Sequence, residues 1–143
     1  MSRSDWLYPI SKSAGTWWED TDRGVTAKIS LANFRDLIVP GFLGDDWWFI
    51  SSNYLKVAPG DRAWIYLSGG TGVIGLASIK ELEFRNGQWQ LHLRFRKSAS
   101  RRLCERPFPG AKVNEYVPYP RSTVTGLDDH PRLVRMLERA AGI

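Results

Sequence analysis

Residues 80–96 alternate between apolar and polar side chains around an Asn-Gly pair at 86–87, and this pattern predicts a β-hairpin. Asn-Gly suits a two-residue type I′ turn, which needs a positive φ at both positions. The turn sets the register and places Phe84 opposite Trp89 on the apolar face. The same register would bring Lys80 to that face, so we predict a bulge near Lys80. The inward-facing residues of the second strand are Trp89, Leu91, Leu93 and Phe95.

Two apolar segments joined by a glycine-rich loop precede the hairpin. Residues 63–67 are continuously apolar, as expected for a strand that is buried on both faces. Residues 73–79 form a second apolar strand, which Gly75 interrupts. A glycine inside a strand marks a bulge, a sharp bend of a barrel, or a place where another group approaches the backbone closely. The pattern leaves open which of these applies to Gly75.

The rest of the chain predicts two further strands, two helices and a proline-rich loop. The strands are expected at 6–11 and 46–50, and the helices at 31–38 and 128–143. The loop, residues 107–120, holds four of the eight prolines and is interpreted as ordered, with one short strand around 113–117.

These elements predict an α+β fold, namely a small curved sheet or open β-barrel of five to six strands with two or more helices packed around it. A length of 143 residues fits one domain over 1–143. A single cysteine and two histidines make a zinc site improbable, and we predict neither a metal nor a cofactor. With no long apolar run and no signal-peptide pattern, we expect a cytoplasmic protein without a membrane partner.

Positive charge is concentrated in one segment of the chain. Residues 94–112 contain seven basic residues and one acidic residue, a net of +6, which leaves 13 basic and 14 acidic residues elsewhere. A local patch of this kind is typical of a surface that binds a polyanion, although a solvated face without a partner is the alternative. We expect Arg101, Arg102 and Arg106 to hold nucleic-acid phosphates without reading sequence.

Four of the seven tryptophans occur in two adjacent pairs, Trp17-Trp18 and Trp47-Trp48. Large aromatic rings usually fill cores. Adjacent side chains on a strand point to opposite faces, however, so both rings of a pair cannot enter the same core. We therefore expect at least one ring of each pair to lie outside the main core.

Several short motifs in the first half of the chain resemble the EVE domain of the PUA-like superfamily, which is related to the YTH readers of methylated adenine. They are PGD at 59–61, WIYLSG at 64–69 and GVIGLA at 72–77. The likeness extends upstream to WLYPISKS at 6–13 and WWFISSNYLKV at 47–57. The resemblance covers most of residues 5 to 80.

The resemblance implies a barrel with a pocket at one end, where a flipped-out base lies among aromatic rings. It further implies a non-catalytic reader of a modified base, with 5-methylcytosine in DNA expected before RNA, and a separate nuclease or restriction component as a possible partner. Flipping a base costs a few kcal/mol, and stacking on an aromatic ring returns about 1–3 kcal/mol per base. Tryptophans beside a basic surface would supply both the stacking rings for the base and the positive charge for the phosphates.

We predict two aromatic pocket walls, one from each tryptophan pair, with polar groups and glycines between them. Asn53 could instead cap a turn, and Gly75 could instead form a barrel corner. For every tryptophan, filling the core is the alternative. The candidate base-binding residues are Ser11, Lys12, Trp17, Trp18, Trp47, Trp48, Ser51, Asn53, Ser68, Gly69 and Gly75.

Two other functions fit the sequence less well. A small hydrolase or nuclease of the ASCH type would need catalytic groups, and the candidates, Cys104, His92 and His130, have no partner that the sequence reveals. The glycine-lysine-arginine signature of that type is not evident. The other alternative is a protein-interaction module that uses residues 107–120 as a docking surface.

Overall fold

The computed structural model describes residues 3–10, 17–20, 25–28, 30–36, 45–50, 53–118 and 124–143, with only the backbone described at 17–20, 25–28, 33, 45 and 46. Within these residues nine strands and four helices follow one another along the chain. They are β1 (Asp5–Ile10), β2 (Trp17–Asp20), β3 (Val25–Lys28), α1 (Leu31–Asn33), β4 (Asp45–Phe49), β5 (Arg62–Leu67), β6 (Gly72–Arg85), β7 (Gln88–Phe95), α2 (Lys97–Glu105), β8 (Phe108–Pro109), α3 (Gly110–Asn114), β9 (Thr125–Gly126) and α4 (Pro131–Ala141).

Seven of the strands form one mixed sheet in the order β4-β7-β6-β5-β1-β9, with β8 paired to β6. β1 pairs with β5 in parallel, the other pairs are antiparallel, and β2 and β3 form a separate hairpin. The sheet is strongly curved, as the Tyr8 ring on β1 lies 5.4 Å from the Trp48 ring on β4 although three strands separate β1 from β4 in the sheet. It is nevertheless open, since the described residues of β4 and β9 do not pair with each other.

The predicted α+β class with a curved, open sheet is confirmed, whereas the predicted number of five to six strands is too low. β8 and β9 contain two residues each, too few to show a periodic pattern. The apolar segment 73–79 and the first arm of the hairpin, predicted as separate strands, form the single 14-residue strand β6.

The β6–β7 hairpin has the predicted register. Asn86 and Gly87 have φ values of 52° and 78°, as a type I′ turn requires, and Phe84 pairs with Trp89. The register shifts between Ile79 and Glu81, which confirms the predicted bulge. The predicted inward-facing residues are buried or, at Trp89, partly buried. Local pattern and turn chemistry were sufficient to specify this element.

The sheet separates two hydrophobic cores. Ala63, Ile65 and Leu67 of β5 enter the first core, which contains Trp48 and Phe34. The alternate β5 residues, Trp64 and Tyr66, enter the second core, which the apolar residues of α2, α3 and α4 cover. The strand is therefore buried on both faces, as its continuous apolar sequence predicts.

Two segments after β7 differ from the prediction. Residues 97–105, which were expected only as a basic stretch, form α2, whose buried face consists of Ala99, Ser100, Leu103 and Cys104. The Ser100 hydroxyl accepts a hydrogen bond from the Leu76 nitrogen and donates one to the Leu76 carbonyl, which attaches the helix to β6. The predicted strand around 113–117 is wrong, because α3 ends there with Val113 packed in the second core.

The C-terminal helix α4 is confirmed, and its Leu133, Leu137 and Ala141 are buried. The helix predicted at 31–38 is shorter in its described part. α1 covers three residues and continues as a π-helical turn at 34–36, while 37 and 38 lie outside the described residues. In the part of the chain that the structure describes, no helix is both long and apolar enough to cross a membrane.

Candidate nucleic-acid interface

The carboxyl ends of β1 and β5 lie side by side because the two strands pair in parallel. The Ser68 nitrogen donates a hydrogen bond of 3.0 Å to the Ile10 carbonyl, so the chain leaves both strands at the same edge of the sheet. Ser68 is half-buried and Gly69 is exposed. Ser11 and Lys12, two predicted base-binding residues, follow Ile10 directly and lie outside the described residues. We call Ile10, Ser68 and Gly69 the strand-end site.

The two rings of the second tryptophan pair lie on opposite faces of β4. Trp48 is buried in the first core, where Tyr8 and Phe95 meet its ring edge-on at centroid distances of 5.4 and 5.5 Å. Trp47 is half-buried on the other face. This confirms that one ring of the pair lies outside the main core, and it makes Trp48 a core residue rather than a pocket wall.

The outward-facing Trp47 ring contacts two polar side chains. His92, its partner on β7, stacks on it with a centroid distance of 4.8 Å and planes 17° apart. The guanidinium carbon of Arg85 lies 3.9 Å from the centre of the Trp47 ring. A cation–π contact of this kind contributes about 0.5–1 kcal/mol at an exposed site. Trp47 thus belongs to the outer surface of the β4–β7 pair, and β6 separates that pair from β5.

The first tryptophan pair lies on β2. Trp17 pairs with Lys28 of β3, and Trp18 pairs with Ala27. The side chains of both tryptophans lie outside what the structure describes, as does the whole of Ser51. These three residues remain predictions.

Asn53 forms a turn, which was the alternative to reading a base. Its φ is 57°, and its carbonyl accepts hydrogen bonds from the backbone nitrogens of Lys56 and Val57. Its side-chain nitrogen donates to the Val124 carbonyl at 2.5 Å. Because Asn53 holds together the segment before β5 and the segment before β9, we do not retain it as a base-binding residue.

The two glycines in the strand that continues from the loop accommodate other parts of the protein. A Cβ atom on Gly75 would lie 2.6 Å from the ring of Phe34, so the space beside Gly75 is filled by a core ring and not by a ligand. Gly72, which the sequence pattern did not single out, has a φ of 111°, and a Cβ there would lie 1.9 Å from the Phe108 carbonyl oxygen. Gly72 therefore permits the close approach of β8.

The aspartate of the Pro-Gly-Asp turn has a structural role. The carboxylate of Asp61, buried to 5% exposure, accepts hydrogen bonds from the backbone nitrogens of Ser4 and Ala58. It also accepts one from the indole nitrogen of Trp6 at 2.9 Å. Asp61 thereby fastens the beginning of β1 to the beginning of β5, and it fixes the parallel pair that creates the strand-end site.

Two of the predicted phosphate-binding residues line a surface groove between α2 and α4. Arg102 and Arg106 lie in this groove, which has a volume of about 650 Å³, and Arg139 of α4 joins them. Arg101 is exposed on α2 but does not line it. Arg139 was not predicted, although the polar face of α4 repeats arginine at 132, 135 and 139, a spacing that places these residues on one side of a helix. We call this feature the arginine groove.

The short strand β8 connects the arginine groove to the strand-end site. Phe108 and Pro109 form part of the groove and also pair with Val73 and Gly72 of β6. Gly72 follows Gly69 by only three residues, in the loop that begins at the strand-end site. The wall of the arginine groove therefore pairs with β6 directly after the loop that follows the strand-end site.

The candidate catalytic groups are held in packing contacts. Cys104 is buried, donates a hydrogen bond from its thiol to the Ile74 carbonyl, and has its pKa raised by burial to about 12. Its thiol is therefore protonated at neutral pH, which disfavours a nucleophilic role. His92 stacks on Trp47, and His130 packs against the Tyr116 ring. Among the described residues, no three His, Cys, Asp or Glu side chains could together hold a metal ion.

The raised pKa of the buried Cys104 thiol predicts a loss of stability at high pH. The ordinary pKa of this group is 9.0 and the folded-state value is about 12, so folding favours the protonated form. The contribution of the protonated thiol to the free energy of unfolding is complete below pH 9, and it is lost as the pH rises from 9 through 12. By pH 10 the loss amounts to roughly 1 kcal/mol. Urea unfolding of the wild type and Cys104→Ala at pH 8 and pH 10 would measure it. If both proteins lose the same stability over this interval, the thiol does not titrate as expected.

Comparison with known proteins gives a likeness of fold. No family model matches the chain, and no curated protein matches its sequence. The NMR structure of Rpa0253 from Rhodopseudomonas palustris, a structural-genomics target, is similar with a TM-score of 0.50 and 17% sequence identity. The match covers 94% of this chain and 92% of that one. It supports the α+β architecture, and the resemblance to the EVE domain stays a prediction from the sequence.

Proposed function

We propose that the protein is a non-catalytic reader of a modified nucleobase. The base would be flipped out and bound at the strand-end site, with modified cytosine in DNA as the first candidate. The observation that supports the proposal is the pairing of β8, a wall of the arginine groove, with β6 at Gly72, three residues after Gly69 of the strand-end site. A reader needs both, because phosphate contacts position the strand and a separate pocket identifies the base.

The chemistry around the strand-end site suits a flat polar ligand. Gly69 and Gly70 are exposed and carry no side chain, so a base or phosphate can approach the backbone between them. Ser11 and Lys12, which follow Ile10 in the sequence, would add a hydroxyl and a cation to the site in this proposal. With Trp48 assigned to the core and Trp47 to the outer surface, Trp17 or Trp18 is the preferred ring for stacking.

The alternative of a protein-docking module is less favoured. Three apolar residues of the proline-rich segment, Phe108, Val113 and Val117, are buried in the second core and are therefore not available to a partner. For a hydrolase or nuclease, the raised pKa of Cys104 argues against this candidate, because a nucleophilic cysteine reacts as a thiolate.

Binding to a matched set of short oligonucleotides tests the proposal. The set contains DNA and RNA with cytosine, 5-methylcytosine, 5-hydroxymethylcytosine, adenine or N6-methyladenine at one central position, each measured at two salt concentrations. We expect at least tenfold preference for one modified base, about 1.4 kcal/mol, and we expect the ratio to persist at the higher salt. Equal affinities for all the oligonucleotides, decreasing in parallel as the salt concentration rises, would reject the proposal that the protein recognises a base.

Single variants of the first tryptophan pair locate the pocket. Loss of the stacking ring should cost about 1–3 kcal/mol in affinity for the preferred oligonucleotide. Trp17→Ala and Trp18→Ala are to be compared with Phe84→Ala, which removes a 61% exposed ring at the hairpin. Unchanged discrimination in both tryptophan variants would place the base elsewhere.

A further inference from the structure

We infer that the arginine groove binds a backbone phosphate of the nucleic acid, and that Arg139 is part of this binding site together with Arg102 and Arg106. The inference rests on the proposed function in one respect, the identity of the ligand as nucleic acid. It does not depend on which base is read, or on whether any modification is read.

The charges in the groove are not compensated within the described part of the chain. Arg102, Arg106 and Arg139 form no ion pair or side-chain hydrogen bond there, and with Glu105 on the same wall the groove has three positive charges against one negative. Two arginines outside the groove show the contrast, since Arg62 binds Asp5 at 2.6 Å and Arg35 binds Asp36 at 2.7 Å. Five N–H donors on each free guanidinium are available to an oxyanion.

Two helix ends explain why these arginines can gather without acidic partners. Arg102 lies in the last turn of α2 and Arg139 in the last turn of α4, and the carbonyl end of a helix attracts cations. Arg102 also lies against the end of α4, because a Cβ atom on Gly142 would be only 2.9 Å from its guanidinium carbon. The backbone therefore holds the arginines near one another and leaves their N–H groups to bind a ligand.

The composition and position of the groove favour a phosphodiester. Guanidinium groups bind phosphate oxygens in a bidentate manner, and the apolar wall of Pro107, Phe108 and Pro109 can contact the sugar between two phosphates. The same wall pairs with β6 directly after the loop that leaves the strand-end site. In the proposed complex, a nucleic-acid strand whose base lies in the strand-end site would continue past the arginine groove.

Neutral variants at two groove positions test the inference. The probe is an unmodified, fluorescently labelled single-stranded oligonucleotide, and the readout is the dissociation constant measured by anisotropy as a function of salt. Each phosphate contact with a single strand adds about 0.7 to the steepness with which the logarithm of the binding constant falls with the logarithm of the salt concentration. Relative to 1 M salt, one such contact is therefore worth about fivefold in affinity at 0.1 M salt. We expect Arg106→Gln and Arg139→Gln each to bind about fivefold more weakly at 0.1 M salt, with a slope smaller by about 0.7. The double variant should show the sum of the two changes in slope.

Arg132→Gln is the matched control, because it removes the same charge from the exposed face of the same helix outside the groove. We expect it to change the salt slope much less than Arg139→Gln. An equal effect of the two variants, an unchanged slope in Arg106→Gln and Arg139→Gln, or failure of the wild type to bind the oligonucleotide would each overturn the inference. Absence of any preference for a modified base, with the slopes still reduced, would reject the proposed function and leave the phosphate site standing.

Discussion

Replacement of Trp48 by alanine is expected to lower the free energy of unfolding by about 3–5 kcal/mol, a large fraction of the stability of a small domain. The ring is buried in the first core and holds β4 against two other strands through Tyr8 and Phe95. Its removal leaves a cavity that the curved sheet can close only in part. Urea unfolding followed by circular dichroism measures the change, and Trp48→Phe should recover part of it.

The control for this prediction is the neighbouring residue. Trp47→Ala removes a ring of the same size from the outer face of the same strand, where it contacts His92 and Arg85. We expect a loss of roughly 1 kcal/mol and a folded protein, so nucleic-acid binding can still be measured in this variant. Equal destabilisation by the two substitutions would contradict the assignment of one ring to the core and the other to the outer surface.

Arg62→Met is expected to destabilise the protein by about 3–5 kcal/mol, because it leaves a buried carboxylate without its partner. The side chain of Arg62 is 2% exposed and binds Asp5 at 2.6 Å and Glu138 at 2.9 Å. Burial alone would lower the pKa of Arg62, but the hydrogen bonds and the charge attraction of these two carboxylates together outweigh burial and raise it. After the substitution, the Asp5 carboxylate retains the indole N–H of Trp64 at 3.0 Å as a donor.

Two variants separate the buried charge from other effects. Arg35→Met breaks an Arg–Asp pair of nearly the same length whose side chains are 50% and 58% exposed, and we expect no resolvable change in the urea midpoint. The double variant Asp5→Asn, Arg62→Met removes both members of the buried pair and should recover most of the lost stability. A double variant as unstable as Arg62→Met alone would show that packing of the arginine, rather than the unpaired carboxylate, causes the loss.

Local patterns were sufficient for the elements whose geometry depends on neighbouring residues. The Asn-Gly turn and strict alternation specified the β6–β7 register and its bulge, and the apolar periodicity specified α4. α2 was missed because its buried face has only three apolar residues, Ala99, Leu103 and Cys104, which is too short a pattern to indicate a helix before its packing on β6 is known. β8 was missed because its two residues become a strand only through the close approach that Gly72 allows.

For the candidate site, residue types were easier to predict than their positions. A basic cluster on residues 101–106 and the division of Trp47 from Trp48 between two faces could be stated from the sequence. The contribution of Arg139 could not, because it comes from a helix that is distant in sequence and meets α2 only in the folded chain. Gly75 was misassigned for the same reason, since the ring that fills its space belongs to Phe34.

The sequence by itself determined the α+β class, the hairpin, the strand that is buried on both faces and the local excess of positive charge, because each depends on the order of side chains along a few residues. Only the tertiary structure decided which strands are neighbours. The parallel pairing of β1 with β5, fixed by the hydrogen bonds of Asp61, creates the strand-end site, and the docking of β8 on Gly72 joins it to the arginine groove. These contacts join residues far apart in the chain, and their energy depends on shape and hydrogen bonding that exist only after folding.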